Sequence, residues 1–140
     1  MINYGVDPKL LAGFIAESRD SLAPVDSLLI DLEKHPDDPD KINHIFRPFH
    51  SIKGSAAFFG LLKVKQLAHL LEDLLDLIRQ HKLGVTQEIT DVALSGLDML
   101  RAIFDNVTSG KTENIGFDAL LQELILQAMD QLAAIWQWEG

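Results

Sequence analysis

Residues 42–60 read INHIFRPFHSIKGSAAFFG, and their apolar residues recur at steps that alternate between three and four. This spacing predicts an α-helix with one narrow face turned toward a hydrophobic core. The residues of that face are Ile42, Ile45, Phe49, Ile52, Ala56 and Phe59. His50 is rotated by about 100° from Phe49 around the helix, so we expect its side chain beside the core, on the flank or the surface.

The rest of the chain carries the same helical pattern, with short connections and no strand-like alternation. Asp7-Pro8 and Asp38-Pro39 each place a capping residue before a proline at the first helical position. Gly60 marks a turn. The apolar spacing predicts helices from Pro8 to about Leu32 with a kink at Pro24, then over about 39–59, 61–81, 86–107 and 117–138.

We therefore predict an all-α fold, an antiparallel up-down four-helix bundle with an additional fifth C-terminal helix. We expect residues 1–140 to form a single domain, with the core bundle over about 8–108 and the extra helix over about 117–138. Pro48 lacks an amide hydrogen and crowds the carbonyl of His44, so we also predict a bend just before His50.

The composition excludes several classes of function. The 140 residues are 47% hydrophobic, which is too many for a disordered chain, and the formal net charge of -9 argues against nucleic acid or an anionic membrane as partner. Without cysteine, the chain has no disulfides and no cysteine-based metal site. No apolar run reaches the roughly 20 residues that span a bilayer, and we expect a cytoplasmic protein without membrane insertion.

Three residues of the quoted stretch share one helical face and suit the transfer of a phosphoryl group. Lys53 and Gly54 follow His50 at i+3 and i+4, and Ala57 keeps the next turn of this face small. The reference pKa of imidazole is roughly 6.5, so a neutral, nucleophilic form exists near pH 7. Lys53 would offset the charge of the phosphoryl group. The alternatives are an ordinary surface histidine and lysine, and a glycine that serves tight helix packing.

In wording and spacing this run resembles the phosphorylated helix of histidine phosphotransfer domains, above all that of the N-terminal domain of CheA-type chemotaxis kinases. The resemblance covers roughly residues 8–108, and the fifth helix also fits that domain. It implies that His50 is the phosphoacceptor. It also implies that Glu72, which lies 22 residues later in the run His69-Leu-Leu-Glu72, orients His50, and that His69 belongs to the surrounding hydrogen-bond network.

The function implied is that of a phosphorelay carrier. His50 would accept a phosphoryl group from an ATP-bound histidine kinase domain and donate it to an aspartate of a response-regulator receiver domain. Gly54 and Ala57 would face these partners. The chain contains no glycine-rich nucleotide loop, so we expect no cofactor here, ATP-Mg on the partner kinase, and a carrier rather than a self-sufficient kinase. A free-standing carrier and one domain of a larger kinase both fit.

Two other classes stay open at this point. A metal-binding bundle would use paired Glu-x-x-His motifs, but the chain has one His-x-x-Glu in reversed order, so we expect no metal site. A helical interaction module that only docks signalling partners would need no phosphoacceptor. The presence of His50, Lys53 and Glu72 together argues against that alternative.

Overall fold

The computed structural model describes residues 7–110, together with Leu126 and Asp130. Within this part the chain is all-helical. The helices are α1 (Pro8–Leu22), α2 (Val25–Lys34), α3 (Pro39–Phe59), α4 (Leu62–Arg79) and α5 (Gln87–Thr108). The helix predicted over 117–138 lies outside the described residues.

The starts of α1 and α3 and the end of α3 form where the sequence predicts them. The side chain of Asp7 accepts a hydrogen bond from the amide of Lys9 before α1, and that of Asp38 accepts from the amides of Asp40 and Lys41 before α3. Gly60 ends α3 with φ of 72°, a left-handed conformation that glycine adopts without strain. The connection from α3 to α4 is therefore very short, which favours antiparallel packing of the two helices.

The helices form a closed antiparallel bundle. Both α1 and α2 pack against α3 and α5, while α4 packs against α3 and α5, so α1 and α2 together fill one of four positions. Residues early in one helix contact residues late in its neighbour, as antiparallel packing requires. On α3 and α4, His50 meets Glu72 and Asn43 meets Arg79. The predicted four-helix architecture is confirmed.

All six residues of the predicted α3 face are buried, and Ile45, Phe49 and Ala56 have no exposed surface at all. They meet an apolar face of α4 that includes Val64, Leu67 and Leu71. α3 runs as one helix through Pro48, and the bend near Pro48 stays a prediction. The buried face fixes how α3 is rotated in the bundle and therefore which of its residues face outward.

The first predicted helix is divided into two helices rather than kinked. α1 ends at Leu22 and α2 begins at Val25, with Ala23 and Pro24 in a turn between them. Arg101 of α5 binds this break, since its guanidinium donates to the backbone oxygen of Leu22 at 3.1 Å and pairs with Asp26 at 2.8 Å. A cation at the end of α1 satisfies a carbonyl that the interrupted helix cannot pair.

We expect Arg101→Ala to lower the free energy of unfolding by about 1–2 kcal/mol, because it removes a charged hydrogen bond and a half-exposed ion pair. Urea denaturation measures this change. Arg19→Ala is the matched control, because Arg19 also links α1 to α5 but among the described residues pairs only with the exposed Asp105. It should cost about 0–1 kcal/mol. Equal losses in the two variants would contradict a special role for Arg101 at the break.

Candidate functional site

The candidate site is built on one seam between α3 and α4, where α3 supplies His50 and Lys53 and α4 supplies Glu72. His50 follows the fully buried Phe49, and its own side chain is 63% exposed. The predicted position at the edge of the core is confirmed. The antiparallel path of α4 brings Glu72 back beside His50, as the sequence predicted.

The carboxylate of Glu72 contacts both His50 and Lys53. Its Oε1 lies 3.1 Å from Nδ1 of His50 and accepts a hydrogen bond from Nζ of Lys53 at 3.0 Å. Its Oε2 lies 2.9 Å from the same Nζ, an ion-pair contact rather than a directed hydrogen bond. Lys53 therefore pairs with Glu72, a contact that the sequence did not indicate, and its role in offsetting the charge of a phosphoryl group stays a prediction.

Glu72 is buried although it is a charged residue. Only 8% of the residue is exposed, and its carboxylate contacts the side chains of His50 and Lys53. Burial raises the pKa of the Glu72 carboxyl group, but the hydrogen bonds and charges of Lys53 and His50 outweigh burial and hold the pKa below its usual value of 4.5. Glu72 is thus a carboxylate near neutral pH.

The charge of Glu72 decides the tautomer of His50. An ionised carboxylate can only accept hydrogen bonds, so Nδ1 of His50 must carry the hydrogen that lies between them. In a neutral imidazole the lone pair is then on Nε2. Among the described residues, no polar group is bonded to Nε2. The site therefore presents one free nucleophilic nitrogen on an exposed ring.

His69 lies apart from this group of three. Its Nε2 is 3.4 Å from Asp73, one turn along α4, and both side chains are more than half exposed. Within residues 7–110, His69 makes no hydrogen bond to His50, Lys53 or Glu72. Its membership of the network around His50 stays a prediction.

The face of α3 beyond His50 is open. Gly54 and Ala57 are exposed, and a Cβ atom added to Gly54 would meet nothing within 4 Å. Tight helix packing, the alternative reason for a glycine at this position, is therefore excluded among the described residues. The small residues leave space beside the imidazole from the solvent side.

Two further residues of the site were not identified from the sequence. The ring of Phe46 stacks on the His50 ring, with centroids 5.9 Å apart and an angle of 15° between the planes. The guanidinium of Arg79 lies 4.4 Å from the centroid of the Phe46 ring. The i–4 spacing of Phe46 from His50 was the available signal.

Other kinds of site find no support in the part of the chain that the structure describes. Residues 7–110 contain no group of three or more histidine, aspartate or glutamate side chains placed to hold a metal ion. A search of the described helices also finds none with the length and apolarity needed to cross a membrane.

We expect Glu72→Gln to lower the free energy of unfolding by about 1–3 kcal/mol near pH 7, because it removes the charge that Lys53 and His50 pair. The pKa of Glu72 is lower in the folded chain, so the carboxylate stabilises the fold above a pH of about 4.5, and this contribution is lost as pH falls through the folded value. The difference between wild type and variant should therefore shrink on acidification.

Urea denaturation between pH 7 and pH 3.5 measures this difference. Glu33→Gln, at an exposed position of α2, controls for the loss of one carboxylate. A difference between wild type and Glu72→Gln that stays constant or grows on acidification would contradict the pairing.

Comparison with known proteins places the chain in one family. Residues 9–135 match the Hpt domain family. The chain is 31% identical over 120 residues to the sensor histidine kinase CheAY of Helicobacter pylori, a match that covers 85% of this chain and 15% of that protein. The chain thus spans under a fifth of the length of the curated relatives it matches.

Two solved structures support the same assignment. The CheA phosphotransferase domain from Thermotoga maritima is 32% identical, with a TM-score of 0.69 over 74% of this chain and 99% of that one. The phosphorylated P1 domain of CheA3, solved in complex with CheY6 from R. sphaeroides, is 25% identical, with a TM-score of 0.76 over 91% and 98% of the two chains. Fold, site and sequence agree: the chain belongs to the Hpt domain family and is homologous to the phosphotransfer domain of CheA proteins.

Proposed function

We propose that His50 is the phosphoacceptor of a phosphorelay carrier. It receives a phosphoryl group from an ATP-bound histidine kinase domain and passes it to an aspartate of a response-regulator receiver in chemotaxis-type signalling. One observation carries this proposal. The ionised Glu72 holds Nδ1–H of His50, and Nε2 is left exposed with its lone pair.

The transfer to this chain is a displacement at phosphorus. The lone pair of Nε2 attacks the γ-phosphorus of ATP, an Nε2–P bond forms, and the bond to the bridging oxygen breaks as ADP leaves with that electron pair. Positive charge develops on the imidazole during attack. Glu72, 3.1 Å from Nδ1, stabilises this charge through the Nδ1 hydrogen.

In the transfer from this chain, the phosphoryl group moves from Nε2 of His50 to the receiver aspartate. A carboxylate oxygen of the receiver aspartate attacks the phosphorus, an acyl phosphate forms, and the P–N bond breaks with its electron pair returning to Nε2. The imidazole is restored with its hydrogen still on Nδ1. Glu72 therefore serves both directions, because it favours the same tautomer before and after the cycle.

One role of Lys53 is to keep Glu72 ionised. Its ammonium group has three hydrogens, and the contacts with Glu72 leave donor capacity for a phosphoryl oxygen. The side chain is 26% exposed, so solvent and a phosphoryl group can reach it from the open side. Lys53 can thus contact both the Glu72 carboxylate, which orients His50, and the phosphoryl group that is transferred.

The relatives support the choice of partners. One is named a sensor histidine kinase, and a CheA3 P1 domain was solved in its phosphorylated form with CheY6. We propose that this chain likewise meets a kinase domain, which holds ATP-Mg, and a receiver domain. Both would approach over Gly54 and Ala57, where the surface of α3 is open.

We expect His50→Gln to abolish labelling when the chain is incubated with a CheA kinase core and radiolabelled ATP, because the variant lacks the nucleophilic nitrogen. The label on wild type should be acid-labile and base-stable, and a receiver domain should remove it. His44→Gln is the matched control, since His44 is an exposed histidine of the same helix. If His50→Gln were labelled as well as wild type, the chain would instead be a docking module or use another residue.

We expect Gly54→Leu to raise the free energy of unfolding by about 0.5–1 kcal/mol, because leucine is the better helix former and the position is open. The same change should slow transfer with both partners by about tenfold or more, because bulk beside the nucleophile displaces the attacking group from its in-line position.

Gly13→Leu is the matched control for this variant. Gly13 is an exposed glycine within α1 whose added Cβ would also meet nothing within 4 Å. It should give the same gain in stability and leave transfer unchanged. Unimpaired transfer by Gly54→Leu would contradict the proposed approach over this face.

A further inference from the structure

The contact with Glu72 holds only one atom of the His50 ring. A single hydrogen bond at Nδ1 opposes rotation of the imidazole about its Cβ–Cγ bond only weakly, because the ring is 63% exposed, and such rotation carries Nδ1 away from Glu72. The direction of the lone pair on Nε2 depends on the plane of the ring. A second contact is therefore required to aim the nucleophile, and the described residues supply one.

Phe46 provides this second contact from the same helix. It lies one turn before His50, and helical side chains lean toward the preceding turn, so the imidazole settles over the Phe46 ring. The planes differ by 15°, a nearly parallel arrangement that a swivelled imidazole would lose. Phe46 is itself half-buried and packs against the core, so it is a firm surface for this contact.

Arg79 of α4 fixes Phe46 in turn. Its guanidinium lies 4.4 Å from the centre of the Phe46 ring, where a cation is attracted to the aromatic face. Asp76 and Asn43 bind the same guanidinium. These contacts occupy Arg79, which makes it a support for the ring rather than a ligand for the phosphoryl group.

The two contacts on His50 belong to one repeating register between the helices. Arg79 lies between Asn43 and Phe46, and seven residues along each helix Glu72 lies between His50 and Lys53. Seven residues are close to two helical turns, so both groups lie on the same seam. α4 thus holds the imidazole twice, directly through Glu72 and indirectly through Arg79 and Phe46.

We infer that Phe46, held by Arg79, is a positioning residue that fixes the ring plane and the Nδ1–H tautomer of His50. The inference rests on the proposed phosphoacceptor role of His50 for its effect on rate, but not for its effect on the ring. The test therefore uses one readout that needs no kinase and one that does.

The variant is Phe46→Leu in the full 140-residue chain, and Phe58→Leu is its matched control. Phe58 is exposed on the same helix. Among the described residues, only Phe46 stacks on His50. Nitrogen-15 NMR of the His50 ring reports the tautomer. We expect Phe46→Leu to mix the two tautomers and to lower kcat for labelling by a CheA kinase core about fivefold, with KM within about twofold of wild type. Phe58→Leu should change neither the tautomer nor kcat.

Arg79→Gln provides a second variant at an exposed position in case Phe46→Leu does not fold. It should also mix the two tautomers of His50. Arg79→Lys should restore it only in part, because an ammonium lacks the planar guanidinium. Wild-type tautomer and kcat in Phe46→Leu would overturn the inference, and so would a change in only one of the two. If the tautomers mix in Phe46→Leu but wild type accepts no label, the positioning stands and the phosphoacceptor proposal fails.

Discussion

The buried carboxylate of Glu72 is the constraint on which the site depends. Removing a carboxylate from water costs several kcal/mol unless opposite charge and hydrogen bonds replace the solvent. Lys53 and His50 supply both, and the lowered pKa of Glu72 shows that they more than offset burial. Glu72 can stay ionised only while α3 and α4 keep their rotation and register. The stability of this helix pair and the tautomer of His50 are therefore set by the same contacts.

The apolar face of α3 maintains that register. Phe49 and Ile52 flank His50 in sequence and are almost fully buried, so α3 cannot rotate without exposing them. His50 is consequently exposed on a helix that is itself immobilised. The proposed carrier function needs this combination, because a histidine buried with the core could not meet a partner and one on a loose segment would lose its orientation.

The sequence was sufficient for the bundle and for the residues nearest the chemistry. The three-four spacing over residues 42–60 predicts the buried face of α3, and the 22 residues from His50 to Glu72 fit the spacing that the resemblance to phosphotransfer domains implies. The partner of Lys53 was less predictable. A lysine on the nucleophile's face suggests a phosphoryl ligand, but the ion pair with Glu72 depends on the distance between two helices, which no pattern within one helix contains.

The role of Arg79 was hidden for the same reason. In sequence it is a basic residue in the last turn of α4, where a cation is favourable in any helix. Only the antiparallel register places it over Phe46. The break at Pro24 shows the opposite limit, because the sequence predicts a disturbance there, whereas the hydrogen bond from Arg101 of the distant α5 to Leu22 is not contained in the local pattern.

One side of the His50 ring is held in place, and the other side has no partner in the described part of the chain. Nδ1 and one ring face are held by Glu72 and Phe46, and both depend on α4. Nε2 has no hydrogen-bond partner among the described residues, and one turn along α3 nothing lies near the missing Cβ of Gly54. A glycine within a helix costs about 1 kcal/mol relative to alanine. In the proposed function, this cost leaves the face of α3 next to His50 open to a partner, whereas Glu72, Phe46 and Arg79 hold the ring from α3 and α4.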